Sequence, residues 1–156
     1  KNLYFRFSLF KARDIENLNR KIMATKKLNT IFIVEDNAVQ RSMLTDYLSK
    51  YPQLKVKEFS SGDACLKELI SGNVQEPELV LMDYFLDGSF GASKDGLETL
   101  TKLKEIYPET DVIMLTSVEN EKIVDLAKKK GALDYVVKSA GSFEKLDSIL
   151  KSNYAM

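Results

Sequence analysis

No histidine occurs among the 156 residues. Imidazole general bases, imidazole metal ligands and a phosphohistidine relay within the chain are therefore excluded. A single cysteine, Cys65, rules out an intramolecular disulfide and suits a reducing, cytoplasmic compartment. Its thiol is expected as a small buried side chain on a helix. Neither sign of charge prevails, with 23 Lys and Arg against 23 Asp and Glu, which argues against a nucleic-acid binder that relies on a basic surface. No apolar run approaches the length of a membrane span. Repeats and low-complexity tracts are absent. What remains for chemistry is carboxylate, hydroxyl and lysine, on a chain long enough for one domain with a full core.

The most informative stretch is Leu79-Val80-Leu81-Met82-Asp83. It is short, continuous and apolar, with Glu76-Pro77-Glu78 before it and Asp87-Gly88 after. A central strand of a parallel sheet reads this way because helices cover both faces. A carboxylate at its end emerges at the carboxyl edge of the sheet, where open α/β sheets hold their ligands.

The rest of the chain alternates around that strand. Residues 1–22, aromatic then polar and basic, are expected to be a vector-derived or upstream-translated leader. The alternative is an amphipathic segment that docks on a partner, and an aromatic leader packing on a neighbouring copy would give a homodimer. Residues 23–156 form the domain. Ile31-Phe32-Ile33-Val34 is a buried strand ending at Glu35-Asp36, and Asn37 is placed to N-cap a helix with Val39, Met43, Leu44, Tyr47 and Leu48 on its apolar face. Val56 and Phe59 mark an edge strand. Ser61 or Gly62 opens a helix with Cys65, Leu66, Leu69 and Ile70 inward. Leu97, Leu100, Leu103 and Ile106 mark a third helix, and Val112 to Leu115 a strand ending at Thr116-Ser117. Ile123, Val124, Leu126 and Ala127 line a fourth helix, closed by Gly131. Tyr135-Val136-Val137 is the last strand, ending at Lys138, and Phe143, Leu146, Ile149 and Leu150 line the last helix. Five successive βα units imply a parallel sheet covered on both faces.

Four strand ends carry reactive residues: Glu35 and Asp36, Asp83, Thr116, and Lys138. In a parallel sheet they share one rim. A lone carboxylate after a strand is an ordinary cap or loop residue, but four such coincidences at successive strand ends exceed what caps explain. Three carboxylates in one cleft raise one another's pKa unless a cation sits among them. Oxygen ligands suit a hard ion, Mg²⁺ or Mn²⁺. A carboxylate flanked by a metal, a lysine and a hydroxyl meets the needs of phosphoryl transfer, with an aspartyl phosphate as product.

These motifs, together with Asp95-Gly96-Leu97-Glu98 and Gly131-Ala132-Leu133-Asp134-Tyr135, make the chain resemble a response-regulator receiver domain of two-component signalling from Leu28 to the last helix. The resemblance implies a doubly wound, flavodoxin-like α/β fold with strand order 2-1-3-4-5. It implies that Glu35 and Asp36 hold Mg²⁺, that Asp83 is phosphoacceptor and metal ligand, and that the backbone carbonyl of Phe85 completes the metal's protein ligands. Thr116 bonds a phosphoryl oxygen and moves on activation, Lys138 pairs with the phosphoryl group, and Tyr135 is the switch aromatic. Ser117 is small, as a position beside the phosphoryl group must be. The donor is a histidine kinase or a histidine phosphotransfer protein. Outputs or a second copy dock on the face of helix four, strand five and helix five. No output domain is expected to follow the last helix, so the signal passes by binding another protein rather than by enzymatic turnover.

Three departures from the family pattern matter. Ser139 follows Lys138 where the family usually has proline after a cis bond. Because a cis bond before a non-proline residue costs about 3 kcal/mol, a trans or a strained bond is expected. The loop from Tyr84 to Lys94, with Gly88, Gly91 and Ser93, is long, as a solvated insertion or a flap would be. Phe85 and Val118 are apolar where the family tunes the hydrolytic water, which predicts slow autodephosphorylation. The competing readings are a receiver-like interaction module that is not phosphorylated, a Mg²⁺-dependent aspartyl-nucleophile phosphatase, which would place a second Asp at position 85, and a flavin-binding module, disfavoured because Glu35-Asp36 would repel a phosphate.

Overall fold

Every strand of the main sheet hydrogen-bonds to its neighbour in parallel, so each connection must cross over the sheet, and each crossover carries a helix. The structure, a computed structural model, describes residues 26–86, 96–117 and 119–155. The leader, the loop from residue 87 onward, Asp95 and Val118 lie outside them. In chain order the elements are β1 (Thr30–Val34), α1 (Ala38–Leu48), β2 (Lys55–Phe59), α2 (Gly62–Ser71), β3 (Leu79–Asp83), α3 (Gly96–Ile106), β4 (Asp111–Thr116), α4 (Glu121–Lys129), β5 (Asp134–Val137) and α5 (Ser142–Asn153). The spatial order is β2-β1-β3-β4-β5, the doubly wound arrangement expected, with β2 on an edge.

Side-chain alternation along each strand assigns the helices to faces. Phe32, Val34, Val80, Met82, Val112, Met114 and Tyr135 pack with α2, α3 and α4. Ile31, Ile33, Leu79, Leu81, Ile113, Leu115 and Val136 pack with α1 and α5. Strands β1 and β3 are buried along their whole length, which is why they read as unbroken apolar runs. Burial of each such Leu or Ile contributes about 1.5–3 kcal/mol.

The caps fall where the side chains specify them. Asn37 accepts from the amides of Val39 and Gln40, and Ser61 from that of Ala64. Gly131 follows α4 at φ 97°, a left-handed conformation that favours glycine. Cys65 is buried on α2, and desolvation pushes its thiol up to about 12.

The apolar stripes are narrower than expected. Val39 (69 %), Met43 (52 %), Ile70 (65 %), Ile106 (45 %) and Leu126 (43 %) are exposed. A helix lying flat on a sheet buries only its central stripe, and these residues sit on the shoulders of theirs. A further pairing that sequence patterning did not indicate joins Lys26–Lys27 to Tyr154–Ala155 in parallel, with Tyr154 buried and its hydroxyl donating to Asp111 Oδ2 at 2.6 Å. Among the described residues, no helix is long and apolar enough to cross a membrane.

Candidate functional site

The parallel register brings the carboxyl ends of β1, β3, β4 and β5 to one rim, and backbone bonds lock them together. The Tyr84 amide donates to Leu115 O at 2.7 Å and the Lys138 amide to Thr116 O at 2.6 Å. At this rim Glu35 (1 % exposed) and Asp83 (5 %) are buried, and Asp36 is half-buried. One carboxylate oxygen from each of the three lies within 4.8 Å of the others. Lys138 supplies the cation: its Nζ is 2.6 Å from Glu35 Oε2 and 3.0 Å from Asp83 Oδ1.

The two contacts differ in kind. The bond to Glu35 is a well-formed hydrogen bond. Asp83 Oδ1 is near enough for ion pairing but off the line a hydrogen bond requires, so this buried oxygen accepts no hydrogen bond. Desolvation by burial holds the Glu35 carboxyl above its ordinary value, and the Asp83 charge pushes the same way, while the bond from Lys138 opposes both. Asn37 N–H adds a contact of 3.2 Å to Glu35 Oε1.

The other expected residues take these positions. Thr116 ends β4 fully buried, and Ser117 beside it is exposed. Tyr135 is 3 % exposed and packs inward with the α2, α3 and α4 face. Phe85 projects outward, 49 % exposed, with its ring edge-on to Tyr84. The described residues contain no cis peptide, so the Lys138–Ser139 bond is trans, and Lys138 reaches both carboxylates without a proline after it.

Three contributors were given no role of their own by sequence reasoning. Arg41 Nη1 donates to the carbonyl of Glu35 at 2.6 Å and approaches that of Asp36 at 3.3 Å, while its Nε bonds Glu58 at 3.2 Å. It thereby pins the backbone of the acidic turn. Gly96 starts α3 against β3: its amide donates to Tyr84 O at 2.8 Å, and a Cβ there would stand 2.2 Å from the carbonyl oxygen of Asp83. Gln40 Oε1 accepts from Lys138 Nζ at 2.6 Å. The only sequence signal for Gln40 was its place three residues after Asn37, where a capping box would send it back to the cap.

Comparison with known proteins finds relatives of this fold. The family profile described as response regulator receiver domain matches residues 31–151. The response regulator protein VraR of Staphylococcus epidermidis is 31% identical over 124 residues, covering 78% of this chain and 55% of that protein. VraR of Staphylococcus aureus is 27% identical over 123 residues, covering 79% and 56%. The chain thus spans about half the length of these curated relatives. Among solved structures, the N-terminal domain of a response regulator/sensory box/GGDEF 3-domain protein from Carboxydothermus hydrogenoformans superposes with a TM-score of 0.64 at 30% identity, covering 78% of this chain and 90% of that one. The Mn²⁺-bound form of response regulator Rcp1 shares the fold, with a TM-score of 0.66 at 22% identity, covering 79% and 90%.

Proposed function

The chain belongs to the response regulator receiver domain family, and on that premise we propose that Asp83 is its phosphoacceptor, served by a histidine kinase or histidine phosphotransfer protein. The observation that carries the assignment is Asp83 Oδ1 itself, buried at a strand end, beside an ammonium, and accepting no hydrogen bond. A buried carboxylate oxygen of that kind is costly to maintain unless a ligand completes it.

The donor set fits a hard dication. Three clustered carboxylates with one ammonium among them leave surplus negative charge, and all the donors are oxygen. Glu35, Asp36 and Asp83, with the Phe85 carbonyl, would hold Mg²⁺ or Mn²⁺. When bound, the ion supplies charge neutralisation for the transferring group.

The chain's own residues do the rest. An Asp83 carboxylate oxygen forms a bond to phosphorus as the P–N bond of the donor phosphohistidine breaks; the electron pair leaves with the imidazole nitrogen, which takes up a proton. Lys138 offsets charge on the phosphoryl oxygens, and the Thr116 hydroxyl donates to one of them. Withdrawal of Thr116 toward the phosphoryl group vacates space that Tyr135 fills, shifting a pre-existing equilibrium between two packings. The face of α4, β5 and α5 carries that change to a protein partner, and the chain acts as a cytoplasmic signalling module rather than an enzyme.

Intact-mass spectrometry after incubation with acetyl phosphate tests the assignment. One phosphoryl group is expected with Mg²⁺, and none in EDTA or in Asp83→Asn. An unmodified wild type under all conditions would instead favour a receiver-fold interaction module.

A further inference from the structure

Lys138 is shared with a residue outside the acidic cluster. Its ammonium has three N–H bonds to give. One goes to Glu35 Oε2 at 2.6 Å and one to Gln40 Oε1, also at 2.6 Å. Asp83 Oδ1, 3.0 Å away, receives none. With Asp83 as the phosphoacceptor, a reading on which this inference rests, we propose that Gln40 is a positioning residue that diverts the Lys138 ammonium from Asp83 and so limits the rate at which Asp83 is phosphorylated.

The first turn of α1 shows why Gln40 is available. In a capping box its carboxamide would return to the amide of Asn37. That amide instead donates to Glu35 Oε1. The Gln40 backbone is meanwhile fixed, because its N–H donates to Asn37 Oδ1 at 3.0 Å. The helix start is thus anchored without the Gln40 side chain, which reaches across to Lys138, just past the end of β5.

The two bonds already made hold the ammonium so that it gives no hydrogen bond to Asp83 Oδ1, and turning it toward a phosphoryl group on Asp83 draws it off Gln40. Anionic phosphoryl oxygens outcompete a neutral amide oxygen for an ammonium. Gln40 lines a groove of about 530 Å³ between α1 and the β5–α5 turn, with Met43, Lys138 and Phe143. Its released carboxamide is therefore solvated rather than stranded, and release costs about one hydrogen bond to a charged group. A bond of that class corresponds to about tenfold in rate.

The test compares Gln40→Met, which keeps the length and removes the acceptor, with Gln40→Glu, which strengthens it. Phosphorylation by acetyl phosphate at saturating Mg²⁺ is followed by intact mass. Gln40→Met is expected to be phosphorylated about tenfold faster than wild type, and Gln40→Glu slower. A packing role would move both variants the same way. Gln40→Asn, too short to reach Lys138, is expected to match Gln40→Met and serves in its place should that variant fail to fold. Equal rates in all variants, shifts of the same sign in Met and Glu, or a slower Gln40→Met each overturn the inference. A wild type that takes up no phosphoryl group overturns the assignment of Asp83 instead, so the two failures are distinguishable.

Discussion

Replacing Lys138 by methionine isolates the electrostatics of the rim. The ammonium stands 2.6 Å from Glu35 and 3.0 Å from Asp83. At an effective dielectric of about 20, each contact is worth about 6 kcal/mol of attraction before desolvation. The mutual repulsion of the two buried carboxylates, with oxygens within 4.8 Å, is present with or without the cation and does not enter the difference. Against the lost attraction, methionine recovers the several kcal/mol spent on desolvating the ammonium. Breaking a buried pair generally costs about 3–5 kcal/mol once these opposing terms have largely cancelled, and the low end, about 3 kcal/mol, is expected for Lys138→Met in EDTA at pH 8. For a domain of this size that is a drop of about 10 °C in Tm. The pH dependence follows from Glu35, whose carboxyl is already held above its ordinary value of 4.5 by burial. For a carboxylate raised in the folded state, stability is present below the unfolded pKa and lost as pH rises through the folded one. Without Lys138 the folded value rises further, so the deficit of the variant shrinks as pH falls from 8 toward 5. Mg²⁺, a cation for the same oxygens, should stabilise Lys138→Met more than wild type. Urea or thermal unfolding with EDTA and with Mg²⁺ at both pH values is the assay. A variant as stable as wild type in EDTA at pH 8, or an equal Mg²⁺ increment in both, refutes the reasoning.

Gly96→Ala should destabilise by about 1–3 kcal/mol, because its Cβ would meet the Asp83 carbonyl oxygen at 2.2 Å and Met114 Cε at 2.8 Å; denaturant unfolding checks this. The same shift of the strand end should slow Asp83 phosphorylation, read by intact mass. Asp147 binds Lys151, Lys50, Tyr51 and Tyr47 across α1 and α5, and these bonds, that from Lys151 foremost, hold its carboxyl below the ordinary 3.8. Because a lowered carboxylate contributes stability above the unfolded pKa and loses it as pH falls through the folded one, the gap in Tm between wild type and Asp147→Asn should be widest near pH 7 and close in acid. Phe85→Asn places an amide at the exposed position two residues past Asp83. It should shorten the lifetime of the phosphorylated form, measured as mass decay after removal of the donor.

The sheet and its topology were legible because burial on both faces leaves a plain mark: Ile31 to Val34, Leu79 to Met82 and Val112 to Leu115 are apolar without interruption. The caps at Asn37 and Ser61 were legible because a short polar side chain before a helix has few other uses. The rim was legible in part. Strand ends announce their residues, so Glu35, Asp36, Asp83, Thr116 and Lys138 stood out. Gln40 and Arg41 did not, because their contacts depend on rotamers reaching from the first turn of α1, and a polar residue there reads as solvated. Gly96 was visible as part of a motif, yet its packing against the Asp83 carbonyl is a property of how α3 docks on β3. Val39, Met43 and Ile70 looked inward by period alone, and only the width of the sheet contact places them outside. The pairing of Lys26–Lys27 with Tyr154–Ala155 left no mark, since two-residue strands carry no period.

The central claim is that the phosphoryl group resides on the side chain of Asp83. Borohydride reduces an acyl phosphate to an alcohol, so treating the phosphorylated chain and sequencing its peptides by mass spectrometry reads the site directly. Homoserine at position 83, formed only after exposure to acetyl phosphate and Mg²⁺, is the result predicted. Aspartate unchanged at position 83 while the chain carries a phosphoryl group, with homoserine or phosphate found at another residue, would contradict it.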